Sequence, residues 1–176
     1  MESTIKPTTL KTQIETSSSR PPLSGIITGQ IAGLIMAVVV MIVFTLFLGK
    51  TPLYPVQVIG SAVFGESALH DFHFGAVIAG LLLHQLGPSL LWGVIFGLLA
   101  KKFSSAALSS ALTLGLGVGV ISMVGPYVLI PFVMKTLHGV DFWNREVPML
   151  WDWAAHLVFG ASFALYPKVV SKLSAA

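Results

Sequence analysis

The chain has 176 residues, of which 55% are hydrophobic and only 10% charged, with a mean hydropathy of +0.86, against about 25% charged residues in ordinary soluble domains. So few charges cannot cover a water-facing surface, which excludes a soluble globular domain and leaves lipid as what the apolar excess must face. Cysteine is absent, which removes disulfides, thiolate metal sites, iron–sulfur clusters and cysteine nucleophiles; the net charge of +3 is scattered between apolar runs and reads as membrane topology rather than nucleic-acid affinity.

Residues 1–22 form a polar leader rich in Ser, Thr and Lys, with almost nothing to bury, and are expected to be disordered. Leu23 to Gly49 then carries no Asp, Glu, Lys or Arg, and at about 1.5 Å per residue it exceeds the roughly 30 Å hydrocarbon core of a bilayer. This run is too long for the apolar region of a cleaved signal peptide, and no small-residue cleavage pattern follows it before Lys50.

The first outer segment, Lys50 to Phe72, is punctuated by Pro52 and Pro55, after which Val56, Ile59, Val63 and Phe64 recur at helical spacing. This pattern predicts a short interfacial or re-entrant helix between the first two spans. Phe74 to Ala100 and Phe103 to Met134 are again charge-free, and a shorter run from Trp153 to Pro167 spans only if Met149 to Asp152 and a snorkelling Lys168 extend it. The expected fold is therefore all-α: a four-transmembrane-helix bundle over residues 23–172, with spans near 24–49, 74–100, 104–134 and 149–170. Gly87-Pro88, Gly125-Pro126 and Pro131 should kink or locally unwind the second and third spans, because proline removes a backbone donor and clashes with the preceding turn.

Lys6, Lys11, Arg20, Lys101, Lys102, Lys168 and Lys172 fall on one side of this arrangement and Lys50, Lys135 and Arg145 on the other. Seven against three places both termini of this multi-pass chain in the cytoplasm. Helix association in lipid relies on small residues that permit close backbone approach. Gly25, Gly29 and Gly33 in span one, Gly80, Gly93 and Gly97 in span two, Gly115 and Gly119 in span three and Gly160 in span four mark the packing faces. These faces pack either on one another or against a partner membrane subunit.

Ionisable residues at membrane depth are the first functional candidates. His84 follows Ala76 and Gly80 at four-residue spacing, and Asp152, His156 and Gly160 share a face of span four, where the carboxylate could orient the imidazole. The plainer alternative is that each histidine hydrogen-bonds a neighbour and fixes helix register. Paired axial ligation of haem b needs both rings at one depth, whereas a span starting at Phe74 puts His84 about 15 Å below the outer boundary and His156 roughly 5–9 Å below it. Glu66, His70, Asp71 and His73 contain metal-ligating residue types, but they occupy a loop junction where solvated polar residues are expected, so no metal site is assigned. There is no Walker loop, dinucleotide fingerprint, nucleophile elbow or HExxH, and the basic leader is too sparse for a nucleic-acid patch.

Tyr54-Pro55-Val56-Gln57-Val58-Ile59-Gly60-Ser61, Leu82-Leu83-His84-Gln85-Leu86 and Trp153-Ala154-Ala155-His156-Leu157-Val158-Phe159-Gly160 resemble segments of small bacterial four-helix integral membrane proteins. The resemblance covers about residues 24–168; it implies four spans and an outer amphipathic segment, and carries no activity with it. The leading functional expectation is a non-enzymatic accessory or scaffold subunit of a larger membrane complex, or a self-associating one. A haem- or quinone-associated electron-transfer subunit using His84 and His156 is the alternative, and a small transporter a further one.

Overall fold

In the computed structural model, residues 21–103 and 107–175 are described, and among them the chain is helical throughout, with no strand. Pro21 opens α1 (Pro21–Phe47), two residues inside the polar leader expected over 1–22; residues 1–20 of that leader lie outside the described ones. Proline at the head of a helix costs nothing, since its missing N–H would have had no intrahelical partner.

The outer segment folds as α2 (Tyr54–Phe64) and the single turn α3 (Ser67–His70). Pro55 sits in the first turn of α2, and Gly65, at φ +65°, ends it with its N–H donated to Ser61 O. Gln57 fastens the two together, its amide donating to Ala68 O at 2.7 Å and to Asp71 O at 3.0 Å.

A helical unit of 29 residues follows, built from α4 (Phe74–His84), a π-helical turn at Gln85–Ser89 and α5 (Leu90–Lys102). The next, of 31 residues, comprises α6 (Leu108–Ser122), a second π-helical turn at Gly125–Leu129 and α7 (Ile130–His138). Both π turns lie where proline interrupts the sequence. Pro88 and Pro126 cannot donate to the carbonyl four residues back, and the wider turn moves their rings off that carbonyl. These two units and α1 are the three helices long and apolar enough to cross a membrane.

The fourth run is not one continuous helix. It divides into α9 (Met149–Ser162), a 3₁₀ turn at Phe163–Leu165 and α10 (Tyr166–Ser174), where Pro167 stands in the first turn. Ahead of it, α8 (Phe142–Glu146) caps the outer end, with Asp141 accepting from Asn144 N at 3.1 Å.

α1 is the hub of the packing. It lies along α5 on one side and α9 on another, and α9 in turn lies along α6. Glycine makes these approaches close enough to be exclusive: a Cβ on Gly29 would stand 2.6 Å from the Gly93 Cα, and one on Gly119 3.1 Å from the Gly160 Cα. Gly25 meets Gly97, Gly33 meets Ser89, Gly80 lies against Val56 and Gly115 against Gly160, so each of these glycines faces another helix of the same chain. Leu34, Val38, Ile42 and Leu46 line the opposite face of α1 at four-residue spacing and are exposed.

Apolar packing forms two clusters, one around Phe96 and Phe163, stacked with centroids 4.3 Å apart, and one around Phe44, Tyr54, Met134 and Phe142. The second and third long units, by contrast, touch only slightly, between α5 and α6 beside the connecting turn. Further out, the two units diverge.

Candidate functional site

The divergence leaves a cleft. Its cavity of about 280 Å³ is walled by α1 at Met36, roofed by Ile59 and Ala62 of α2 and by Trp143 of α8, and bordered by both π turns. His84 and His156 both line it, from α4 and α9 respectively. Exposed residues on both bordering units, Leu83 and Pro88 on one and Leu129 on the other, rim its mouth, so it opens sideways between the second and third long units.

The sequence reading placed the two histidines at different depths; the structure brings them to one cavity. α9 begins at Met149, where the fourth span was expected to begin; His156 is seven residues into that helix and His84 ten into α4. Three residues of offset are about 4.5 Å of rise.

Around His156 the polar groups form a chain. Trp143 Nε1 donates to Asp152 Oδ2 at 3.2 Å, Asp152 Oδ1 lies 3.6 Å from His156 Nε2, and His156 Nδ1 lies 2.6 Å from Ser122 Oγ. Ser122 Oγ also donates to Gly119 O at 2.6 Å. That bond has a local cause. Ahead of Pro126 the helix tightens, Met123 N bonds Val120 O, and Gly119 O is left without its usual donor four residues on. The Ser122 hydroxyl, having one proton, gives it to Gly119 O and accepts from His156 Nδ1–H. His156 Nε2 and Asp152 Oδ1 face one another at 3.6 Å, just beyond hydrogen-bond distance. Both ring nitrogens thus face protein oxygens.

His84 differs. Its only hydrogen-bonding neighbour among the described residues is the Gln85 side chain, which leaves at least one ring nitrogen for the cavity. Gln85 is itself held by its surroundings: its Oε1 accepts from Ser89 Oγ at 3.0 Å, its amide donates to Gln30 O at 3.4 Å, and Gln30 returns the bond to Gln85 O at 2.9 Å. This reciprocal amide pair fixes α1 against the π turn that carries the cleft's edge.

The outer charges lie elsewhere and hold the cap together. Arg145 bridges Glu66 at 3.0 Å and Glu146 at 2.8 Å, Tyr54 donates to Glu146 at 2.6 Å, and Lys135 pairs with Asp141 at 3.6 Å. Burial raises the Glu146 carboxyl, but the bonds from Tyr54 and Arg145 outweigh it and leave the group below its ordinary value; Asn144 and Lys135 do the same for Asp141. His73 is spent on capping α4, accepting from Ala76 N at 3.0 Å, and His70 is exposed. Glu66, His70, Asp71 and His73 therefore do not converge, and no metal-holding group of three such residues occurs among the described residues.

Sequence reasoning missed Ser122, Trp92, Trp143 and the Gln30–Gln85 pair. A signal existed for two of them: Ser122 stands four residues before Pro126, at the carbonyl that a proline strands, and Gln30 and Gln85 are amides within otherwise apolar runs. Comparison of the chain with protein-family models, with curated proteins and with solved structures finds no match.

Proposed function

We propose that the chain is a four-span protein of the bacterial cytoplasmic membrane, with both termini cytoplasmic, that binds a small bilayer-dissolved molecule in the cleft between its second and third spans and does no chemistry on it. The observation that carries this reading is the cleft itself, an apolar cavity with two histidines in its wall and a mouth on the side where lipid would lie. The three long helices, the apolar α9 with its flanking aromatic residues, and the seven-to-three division of basic residues support the spans and their direction. α2, packed against α4 on the outer side, is the interfacial or re-entrant element between spans one and two.

The small-residue faces are met by helices of the chain itself, so packing within the chain accounts for them without a partner. Ligand binding accounts for a feature that scaffolding leaves idle.

The test uses bilayer vesicles whose acyl chains carry bromine at mid-chain, and a variant keeping Trp92 as its one tryptophan. Trp92 lines the cleft, so bromine should quench it, and Val133→Phe, which fills the cavity from the third span, should relieve that quenching. Quenching that is absent, or unaffected by Val133→Phe, would mean that lipid-borne molecules do not enter and that the reading is wrong.

A further inference from the structure

We propose that the head group this cleft accepts is a neutral ring bearing hydrogen-bonding oxygens, of the quinone and quinol class, with His84 as its direct partner; the proposal rests on the ligand-binding reading above. Among the described residues, no Lys, Arg, Asp or Glu lines the cavity. A phosphate, carboxylate or ammonium head would therefore be buried without a counter-charge, which at membrane depth is costly. The surfaces on offer are apolar and aromatic, with Trp92, Trp143 and Phe159 among them, and suit a flat ring.

Which polar group meets the ligand is decided by elimination. Six side chains with hydrogen-bonding atoms line the cavity: His84, Ser89, Trp92, Ser122, Trp143 and His156. Ser89 donates to Gln85 Oε1, Ser122 donates to Gly119 O, and the two nitrogens of His156 face Ser122 and Asp152. Trp143 donates to Asp152 and the Trp92 indole can only donate, so His84, of which Gln85 engages at most one nitrogen, is the group able both to donate and to accept. A neutral imidazole carries one N–H and one lone pair, so with either tautomer within reach it can donate to a carbonyl oxygen or accept from a hydroxyl. That is the pair of roles that the oxidised and reduced forms of one ring require.

Size and access agree with this. A cavity of about 280 Å³ stands at the low end of ligand pockets, which run from about 300 to 1,000 Å³. It holds one substituted ring, and leaves a tail to pass through the mouth, past Gly87-Pro88 and Leu129, into lipid. A macrocycle or a whole phospholipid would not fit.

The experiment titrates the purified full-length protein in lipid nanodiscs with a short-tailed 1,4-benzoquinone, reading saturable quenching of tryptophan. The corresponding quinol and an oxygen-free alkylbenzene of equal chain length serve as competitors. The quinol should displace the quinone while the alkylbenzene does not. His84→Leu should weaken quinone binding about tenfold, the loss of one hydrogen bond to a desolvated oxygen, whereas His84→Gln, which restores a donor and an acceptor, should stay within about threefold of the parent. If the alkylbenzene competes as well as the quinol and His84→Leu binds like the parent, the cleft takes apolar molecules without reading a head group, and this proposal fails while the ligand-binding reading stands. If saturable quenching is absent and Val133→Phe changes nothing, both fail together.

Discussion

Ser122 Oγ and His156 Nδ1 lie 2.6 Å apart and tie the third long helix to α9 at the wall of the cleft. Replacing Ser122 with Ala strands both the His156 N–H and Gly119 O in an apolar setting. The expected cost is about 1–2 kcal/mol, the upper range for hydrogen bonds within membranes. Reversible unfolding in mixed micelles measures it, and Ser122→Thr, which keeps the hydroxyl, should lose much less. Equal loss in both variants would show that the contact contributes packing and no hydrogen bond.

The facing of His156 Nε2 by Asp152 makes a second expectation. Asn at position 152 imitates a protonated carboxyl: its amide donates to His156 Nε2 while its oxygen accepts from Trp143 Nε1, both partners of Asp152 at present. Asp152→Asn should therefore keep stability within about 0.5 kcal/mol of the parent, while Asp152→Leu loses about 1–3 kcal/mol by stranding the Trp143 N–H and the His156 Nε2 lone pair. Were Asn as damaging as Leu, the carboxyl would have to be ionised against a ring that already carries its Nε2 proton.

Close helix contact gives a third, with its own control. Gly29→Leu drives a side chain into the Gly93 backbone and should lower the melting temperature, overpacking typically costing about 1–3 kcal/mol. At Gly117 an added side chain meets nothing within 4 Å, so Gly117→Leu should melt with the parent. A reversal of that order would place the packing faces elsewhere.

The outer cap supplies the pH dependence. Glu146 in the folded protein titrates below its ordinary value of 4.5, and Asp141 below its ordinary 3.8. A depressed carboxylate contributes stability that is fully present above the unfolded value and is lost as pH falls through the folded one. Melting temperature should thus hold steady from neutral pH down to the ordinary carboxylate range and fall below it. Glu146→Gln should start lower and show a shallower acid-side fall. An unchanged slope in that variant would assign the acid sensitivity to other groups.

Cysteine labelling tests direction in the membrane cleanly, because the native chain has no cysteine. On intact cells an impermeant thiol reagent should mark Val140→Cys, in the exposed turn between α7 and α8, and leave Lys101→Cys unmarked. Labelling of the second alone would invert the topology.

Much of this architecture was readable from residue patterns, because the features in question are set locally. The apolar runs from Leu23, Phe74 and Phe103 became the three long helices, and the prolines at 88, 126 and 131 marked where two of them widen or break. The small-residue faces could be located but not paired: nothing in Gly25-x-x-x-Gly29 says that Gly93 and Gly97 oppose it. The cleft was still less legible. His84 and His156 stood out as ionisable residues in apolar runs, yet their common cavity depends on the slight contact between the second and third units, which tertiary packing settles. Asp152 was visible as a partner for His156, whereas Ser122 and Trp143 enter only through the fold.

The Gln30–Gln85 amide pair has a consequence for biogenesis. It joins the first two long helices to leave a nascent chain, and both amides find their partners within that hairpin, so the pair can form before the later helices exist. α9, by contrast, is made last and must slot between α1 and α6, carrying His156 with it. A chain halted before Met149 would hold its first hairpin in register and still lack one wall of the cleft. The binding chamber is thus a late product of synthesis, completed by the last of the apolar helices to emerge.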